Sequence, residues 1–208
     1  MKGQNARWPL RLAIALGFVV GFVAAAPAAA PNGSFSIRGI GAERCKTLVS
    51  AFTPEGRNEA IAAGFPHWVA GYLTRANRST RNVFEAIPVA DLRSVSQMTL
   101  NVCRAHPDSL VEAALAGLIR IFAPSAQKAE TPFVEVRNGE HSTHVRQDVL
   151  RQTQEALIKE QLLPAGSADG AYGPRTRQAL SAYQTKQGLP ATGIPDPATL
   201  VKILVPKG

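Results

Sequence analysis

The sequence predicts a mainly α-helical chain: a disulfide-tied helical domain followed by a second domain of three short helices. Three observations carry this. Apolar residues recur at helical spacing behind clear helix-start residues, above all over 174–188. Both cysteines of the chain, Cys45 and Cys103, fall in its first half. Between the two helical regions, residues 123–144 lose the helical period.

The amino terminus reads as an export leader. Lys2, Arg7 and Arg11 precede an apolar run from Leu12 to Val23, and a tract of alanines follows. Ala26-Pro27-Ala28 fits the small-x-small pattern of a cleavage site, giving residues 1–28 as the leader. A membrane anchor is the competing reading, but the apolar run falls well short of the about 20 residues that span a bilayer. The mature chain is therefore expected to have no transmembrane segment and to reside in the periplasm or cell wall.

The formal charge of +8 includes the three leader bases, so the mature chain carries 20 basic and 15 acidic residues, a net +5. The charge is spread out, with no basic run and no interleaved aromatics, which argues against nucleic acid as a partner. In an oxidising compartment an even cysteine pair reads as one disulfide; two buried free thiols are the alternative.

The first domain is expected over 39–122. A first helix covers about 42–50 and carries Cys45, and a short helical segment follows over 57–63. Pro66 opens the next helix, whose apolar stripe is Val69, Tyr72 and Leu73. Arg75, Arg78 and Arg81 then read as a basic connection. Asp91 caps a helix holding Leu92, Val95, Met98, Thr99 and Val102 at helical spacing. Asp108 caps a last helix with Leu110, Ala113, Ala114, Leu118 and Ile121 facing inward. Residues 123–144 read as a polar linker in which Phe133–Val136 alternates like a short strand, with 137–139 as its turn.

The third region, 145–205, has the sharpest punctuation. Asp169-Gly170 is a turn dipeptide, Gly173 stands at a helix cap, and Pro174 takes the first helical position, where its missing N–H costs nothing. Thr176, Ala179, Leu180 and Tyr183 mark one face, and Gly188 ends the helix. A second helix-start signal follows with Asp196 as cap and Pro197 behind it. Leu157, Leu180, Tyr183, Leu189, Leu200 and Leu204 are the expected core.

The ordered set Asp169-Gly170, Tyr172-Gly173, Thr176, Ala179-Leu180, Tyr183-Gln184, Gly188-Leu189, Thr192-Gly193, Asp196 and Thr199-Leu200 resembles the three-helix peptidoglycan-binding module of bacterial wall proteins. Gln154 and Leu157 also match that pattern, whereas Thr153 stands where the family has Leu. The resemblance implies a three-helix fold and peptidoglycan as partner. The first domain, through Cys45, Trp68 to Tyr72, Asn77, Asp91 and 103–107, is similar to small periplasmic domains of the acid-stress chaperone and amidase-immunity types. That similarity implies a protein partner, with no binding residue carried across.

Catalytic sets are not evident. Cys103 with His106 lacks the marks of an activated thiolate, and Cys45 is its better partner. His141 and His144, placed at a helix start, lack a third ligand for a metal. No serine elbow or phosphate loop occurs. The chain is therefore read as non-enzymatic and free of cofactors or metals. A wall hydrolase remains the least favoured alternative, behind a periplasmic protein-binding role of the first domain.

Candidate ligand contacts are Asp169, Gly170, Tyr172, Gly173, Arg175, Thr176, Arg177 and Gln184. Glycines admit close approach of backbone, the start of the helix attracts a carboxylate, the arginines add charge-assisted bonds, and the tyrosine offers a ring face. Asp169, Tyr172 and Gln184 each carry an alternative role in holding the local fold.

Overall fold

The computed structural model describes residues 34–89 and 91–205; the leader lies outside them. Residues from Ile37 onward form one compact unit. Its elements are α1 (Cys45–Ser50), α2 (Glu59–Ser79), α3 (Leu92–Ala105), α4 (Val111–Phe122), β1 (Phe133–Asn138), β2 (His141–Arg146), α5 (Gln147–Lys159), α6 (Pro174–Lys186) and α7 (Pro197–Leu204). The mainly α class is as expected. No helix among the described residues is long and apolar enough to cross a membrane.

The first helix is shorter than its sequence suggests. A 3₁₀ turn covers Gly39–Ala42, and Glu43 and Arg44 are extended. Extension lets this segment pair with the approach to α4: Cys45 N–H bonds Ser109 O at 2.8 Å, and Val111 N–H bonds Glu43 O at 3.0 Å. Cys45 then meets Cys103 of α3 in a disulfide with a sequence separation of 58. The pairing expected for an oxidising compartment is present.

Pro66 does not begin a helix; it lies inside α2, which Asn58 caps by accepting from Ile61 N–H. Interior proline forfeits one ladder bond and costs about 3 kcal/mol. Full burial of Phe65 and Val69 on either side offsets that cost. The helix continues to Ser79, so Arg75 and Arg78 sit on its exposed last turns and only Arg81 belongs to a connection.

Asp91 caps α3 as expected, accepting from the N–H groups of Arg93 and Ser94. Asp108 does not cap α4; it receives Lys46 Nζ at 3.1 Å. The inward residues of α4 are Val111, Ala114, Leu115, Leu118 and Phe122, while Ile121 and Ala113 face solvent. The helix starts after Leu110, and its buried stripe is displaced by about one residue from the expected one.

Residues 133–146, which run from the expected linker into the first residues of the expected third region, form an antiparallel hairpin that pairs Val134 with Val145 and Val136 with Thr143. Alternation turns Val136 and Val145 inward, both nearly fully buried. Phe133, Glu135, Ser142, His144 and Arg146 occupy the other face. The hairpin continues one hydrophobic core from Leu48 and Phe65, through Val136 and Val145, to Leu150, Leu200 and Leu204. A smaller cluster gathers Leu157, Leu163, Ala179, Leu180 and Tyr183.

Polar ties reinforce this continuity. Ser125 Oγ donates to Leu204 O at 2.6 Å in the interior, and Asn138 Nδ2 donates to Thr192 O at 2.8 Å. Arg146 donates to Glu85 Oε2 at 2.9 Å and to Thr131 O at 2.8 Å. Its guanidinium also lies 4.8 Å from the Phe84 ring centre and 4.4 Å from that of Phe133. These side chains are mostly buried, at 12% and 22% exposure for the ion pair, so removing the cation strands a carboxylate in a poorly hydrated place. Arg146→Ala is expected to lower the unfolding free energy by about 2–3 kcal/mol in urea titration. Arg137→Ala, whose partner Glu135 is exposed, should leave the urea midpoint close to that of the wild type.

Candidate functional site

Two turns shape the C-terminal surface, and each is built around one buried glutamine. Gln154 on α5 accepts Gly170 N–H at 2.8 Å through Oε1. Its amide nitrogen lies within 2.9–3.1 Å of Asp169 Oδ1, Ala171 O and Thr176 Oγ1. Gln184 on α6 does the same for the second turn. It accepts Gly193 N–H at 2.7 Å, and its Nε2 lies within 2.8–3.3 Å of Thr192 Oγ1, Ile194 O, Asp196 Oδ2 and Thr199 Oγ1.

The two turns are thus one device used twice: a glutamine, a glycine near φ +70° and a threonine six residues on, Gly170 with Thr176 and Gly193 with Thr199. Both glycines are required. A Cβ on Gly170 would stand 2.7 Å from Gln147 Cγ, and one on Gly193 would stand 2.9 Å from Asn138 Nδ2. The positive φ adds strain for any other residue.

This geometry sorts the candidate contacts. Gln184 and Thr176 are buried and committed to the turns; they hold the surface and do not form it. Gly170 is also buried, and its close approach is to Gln147 of its own chain, not to an outside molecule. Gly173 has ordinary extended backbone with open space beside it. Tyr172 is half-buried, and its hydroxyl donates to Gly193 O at 2.8 Å, bracing one turn against the other. Burial raises its pKa, and nearby Arg177 partly offsets this.

Asp169 is exposed, and its Oδ1 accepts Ala171 N–H at 2.8 Å. That bond, followed by the Gln154 amide, holds its carboxyl below the usual aspartate range. It remains ionised and keeps the turn closed through neutral pH.

What the turn presents outward is cationic. Arg175 and Arg177 are both exposed, and neither guanidinium forms a hydrogen bond or ion pair among the described residues. Just before them the start of α6 has no side-chain cap, because Gly173 and Pro174 stand there. The next helix contrasts: Asp196 closes the start of α7, accepting from Thr199 N–H at 2.9 Å. An uncapped helix start with flanking arginines suits a carboxylate.

The end of α6 and the core follow expectation. Gly188 has φ +68°, with Leu189 N–H bonding Gln184 O at 2.8 Å and Gly188 N–H bonding Thr185 O at 3.1 Å, a Schellman closure. Tyr183, Leu180, Leu157, Leu200 and Leu204 are buried; Leu189 is half-buried. Thr153, in place of a leucine, is fully buried and donates its hydroxyl to Val149 O at 2.8 Å.

His141 and His144 do not start a helix. They lie on β2 three residues apart, so alternation sends them to opposite faces of the strand. The role of Gln154 as a turn organiser was visible only through its place in the family pattern, since a glutamine within a helix carries no signal of its own.

Residues 146–203, from the last residue of β2 to α7, match the family model described as a peptidoglycan binding domain. The region matched therefore contains both glutamine-centred turns and the uncapped start of α6. No characterised protein and no solved structure matches the chain.

Proposed function

We propose that this chain is an exported, non-catalytic wall protein that attaches to peptidoglycan through the surface of its C-terminal domain between Asp169 and Arg177. The observation that carries the reading is the family match over 146–203, with the turn, the uncapped helix start and two unengaged arginines lying inside it. Stem peptides of peptidoglycan end in carboxylates. The N–H groups at the start of α6 receive such a carboxylate, and Arg175 and Arg177 add charge to it. Tyr172 and the open side of Gly173 complete the contact surface.

The Cys45–Cys103 disulfide supports an extracytoplasmic address, since such bonds persist where thiols are not kept reduced. It also supports the absence of thiol chemistry, because both sulfurs are consumed. The first domain shares its core with the wall-binding one and serves as the cargo held at the wall.

Cosedimentation of the mature protein with purified sacculi tests this. The wild type is expected in the pellet. Arg175→Glu with Arg177→Glu is expected to weaken binding by about tenfold or more, on the scale of one charge-assisted bond lost. Binding that is equally strong in the double variant, or absent in the wild type, contradicts the assignment.

A further inference from the structure

A concave surface distinct from the Asp169–Arg177 turn lies mostly outside the residues of the family match. It is a cleft of about 620 Å³ where three elements converge: Asp91 and Ser94 at the start of α3, Phe133 with Ser142, Thr143 and His144 on the hairpin, and Ile194, Asp196 and Pro197 before α7. The volume falls in the range of about 300–1,000 Å³ found for small-ligand sites. The first domain, the hairpin and the C-terminal domain each supply a wall.

The chemistry of the walls is specific. Phe133 is a large apolar side chain left 52% exposed, although its neighbours Val134 and Val136 turn inward. Arg146 stacks on the ring and fixes its position. Three consecutive residues of β2 line the cleft, and the sheet has only two strands, so the outer backbone edge of β2 has no strand partner among the described residues. An unpaired edge offers alternating N–H donors and C=O acceptors. Ser142 and Thr143 add hydroxyls with no side-chain bond among the described residues.

The carboxylates contribute less than they first suggest. Asp196 has both oxygens engaged, Oδ1 by Thr199 and Oδ2 by Thr192 and Gln184. Asp91 is committed to Arg93 and Ser94. The cleft is therefore not a cation trap. It combines a fixed ring, hydroxyls and an amide-complementary strand edge.

We propose that this cleft binds the N-acetylated glycan strand of peptidoglycan, making the wall-binding site a composite of both domains. The proposal rests on the peptidoglycan reading above and extends it to a second, sugar-specific contact. A sugar ring packs its apolar face on Phe133, whose aromatic surface suits it. The acetamido group, one N–H and one C=O, pairs with the open edge of β2, and ring hydroxyls meet Ser142 and His144, which share the face of Phe133.

The test is a titration of the full mature protein with an N-acetylglucosamine tetramer, followed by calorimetry and by amide shifts of β2. Binding is expected, with shifts at 142–144. Phe133→Ala should weaken it about tenfold. Because Phe133 also packs on Arg146, a second variant, Ser142→Trp, fills the cleft from an exposed position and should abolish binding without lowering the melting temperature.

Wild-type protein that pellets with sacculi yet ignores the tetramer overturns the glycan cleft alone, as does tetramer binding untouched by either variant. Competition at 142–144 by the free stem peptide and not by the tetramer overturns it in favour of peptide addition to the strand edge. Tetramer binding, with sacculus binding unchanged by Arg175→Glu and Arg177→Glu, upholds the cleft and removes the stem-carboxylate reading.

Discussion

Gln184→Ala is expected to lower the unfolding free energy by about 3–5 kcal/mol, among the largest losses available to a single side chain in the C-terminal domain. Gln184 has no exposed surface. Its amide serves Gly193 N–H, Ile194 O and three side-chain oxygens. Truncation leaves the buried Gly193 N–H without a partner and takes one bond each from Ile194 O and Thr199 Oγ1, and a stranded buried group costs about 1–3 kcal/mol before any relaxation. It also opens a cavity in a packed region. The loss should appear in urea as a shifted midpoint at constant slope. Gln184→Glu separates the two contributions: it keeps the volume but sets a second carboxyl against Asp196, 3.3 Å from the Gln184 amide nitrogen. It is expected to be comparably destabilised at neutral pH. A midpoint near wild type in both variants would show that the second turn holds without its glutamine.

Removing the disulfide with Cys45→Ala and Cys103→Ala is expected to cost about 4 kcal/mol, because the bond closes a loop of 58 residues in the unfolded chain. The sulfurs are fully buried at the meeting of α1 and α3, so two alanines also leave unfilled volume. For a chain of this size the loss corresponds to a fall of roughly 8–16 °C in melting temperature. The continuous core adds a sharper expectation. Because Leu48 and Phe65 belong to the same cluster as Leu150 and Leu200, the amides of α5 and α7 should lose hydrogen-exchange protection together with those of α1. Protection unchanged in α5 and α7 would mean that the two halves unfold independently.

The legible and illegible parts of the sequence divide along physical lines. Positions with a strong backbone demand could be read directly. Proline at a helix start, glycine at positive φ and aspartate at a cap placed α6, α7 and the start of α3 correctly. The hairpin was only half visible, because Val134, Val136 and Val145 are few and the polar residues between them resemble a linker. In sequence α2 looks like two segments, since Pro66 signals a break unless neighbouring burial offsets its cost. At the candidate site the turn was legible, but the division between surface and support was not. Gln184, Thr176 and Gly170 look polar or permissive in sequence and are buried in the fold, whereas Arg175 and Arg177 remain outside. Phe133 carried the opposite signal: an aromatic residue on the solvent face of an alternating strand.

The most direct test of peptidoglycan attachment is nuclear magnetic resonance titration of the isotopically labelled mature protein with soluble, stem-peptide-bearing peptidoglycan fragments. The expected result is saturable shifts of the amides from Asp169 to Arg177, strongest at Arg175 and Thr176, and weaker in the Arg175→Glu, Arg177→Glu variant. Shifts absent from this turn at saturating fragment, or confined to α1 and α2, would contradict the account.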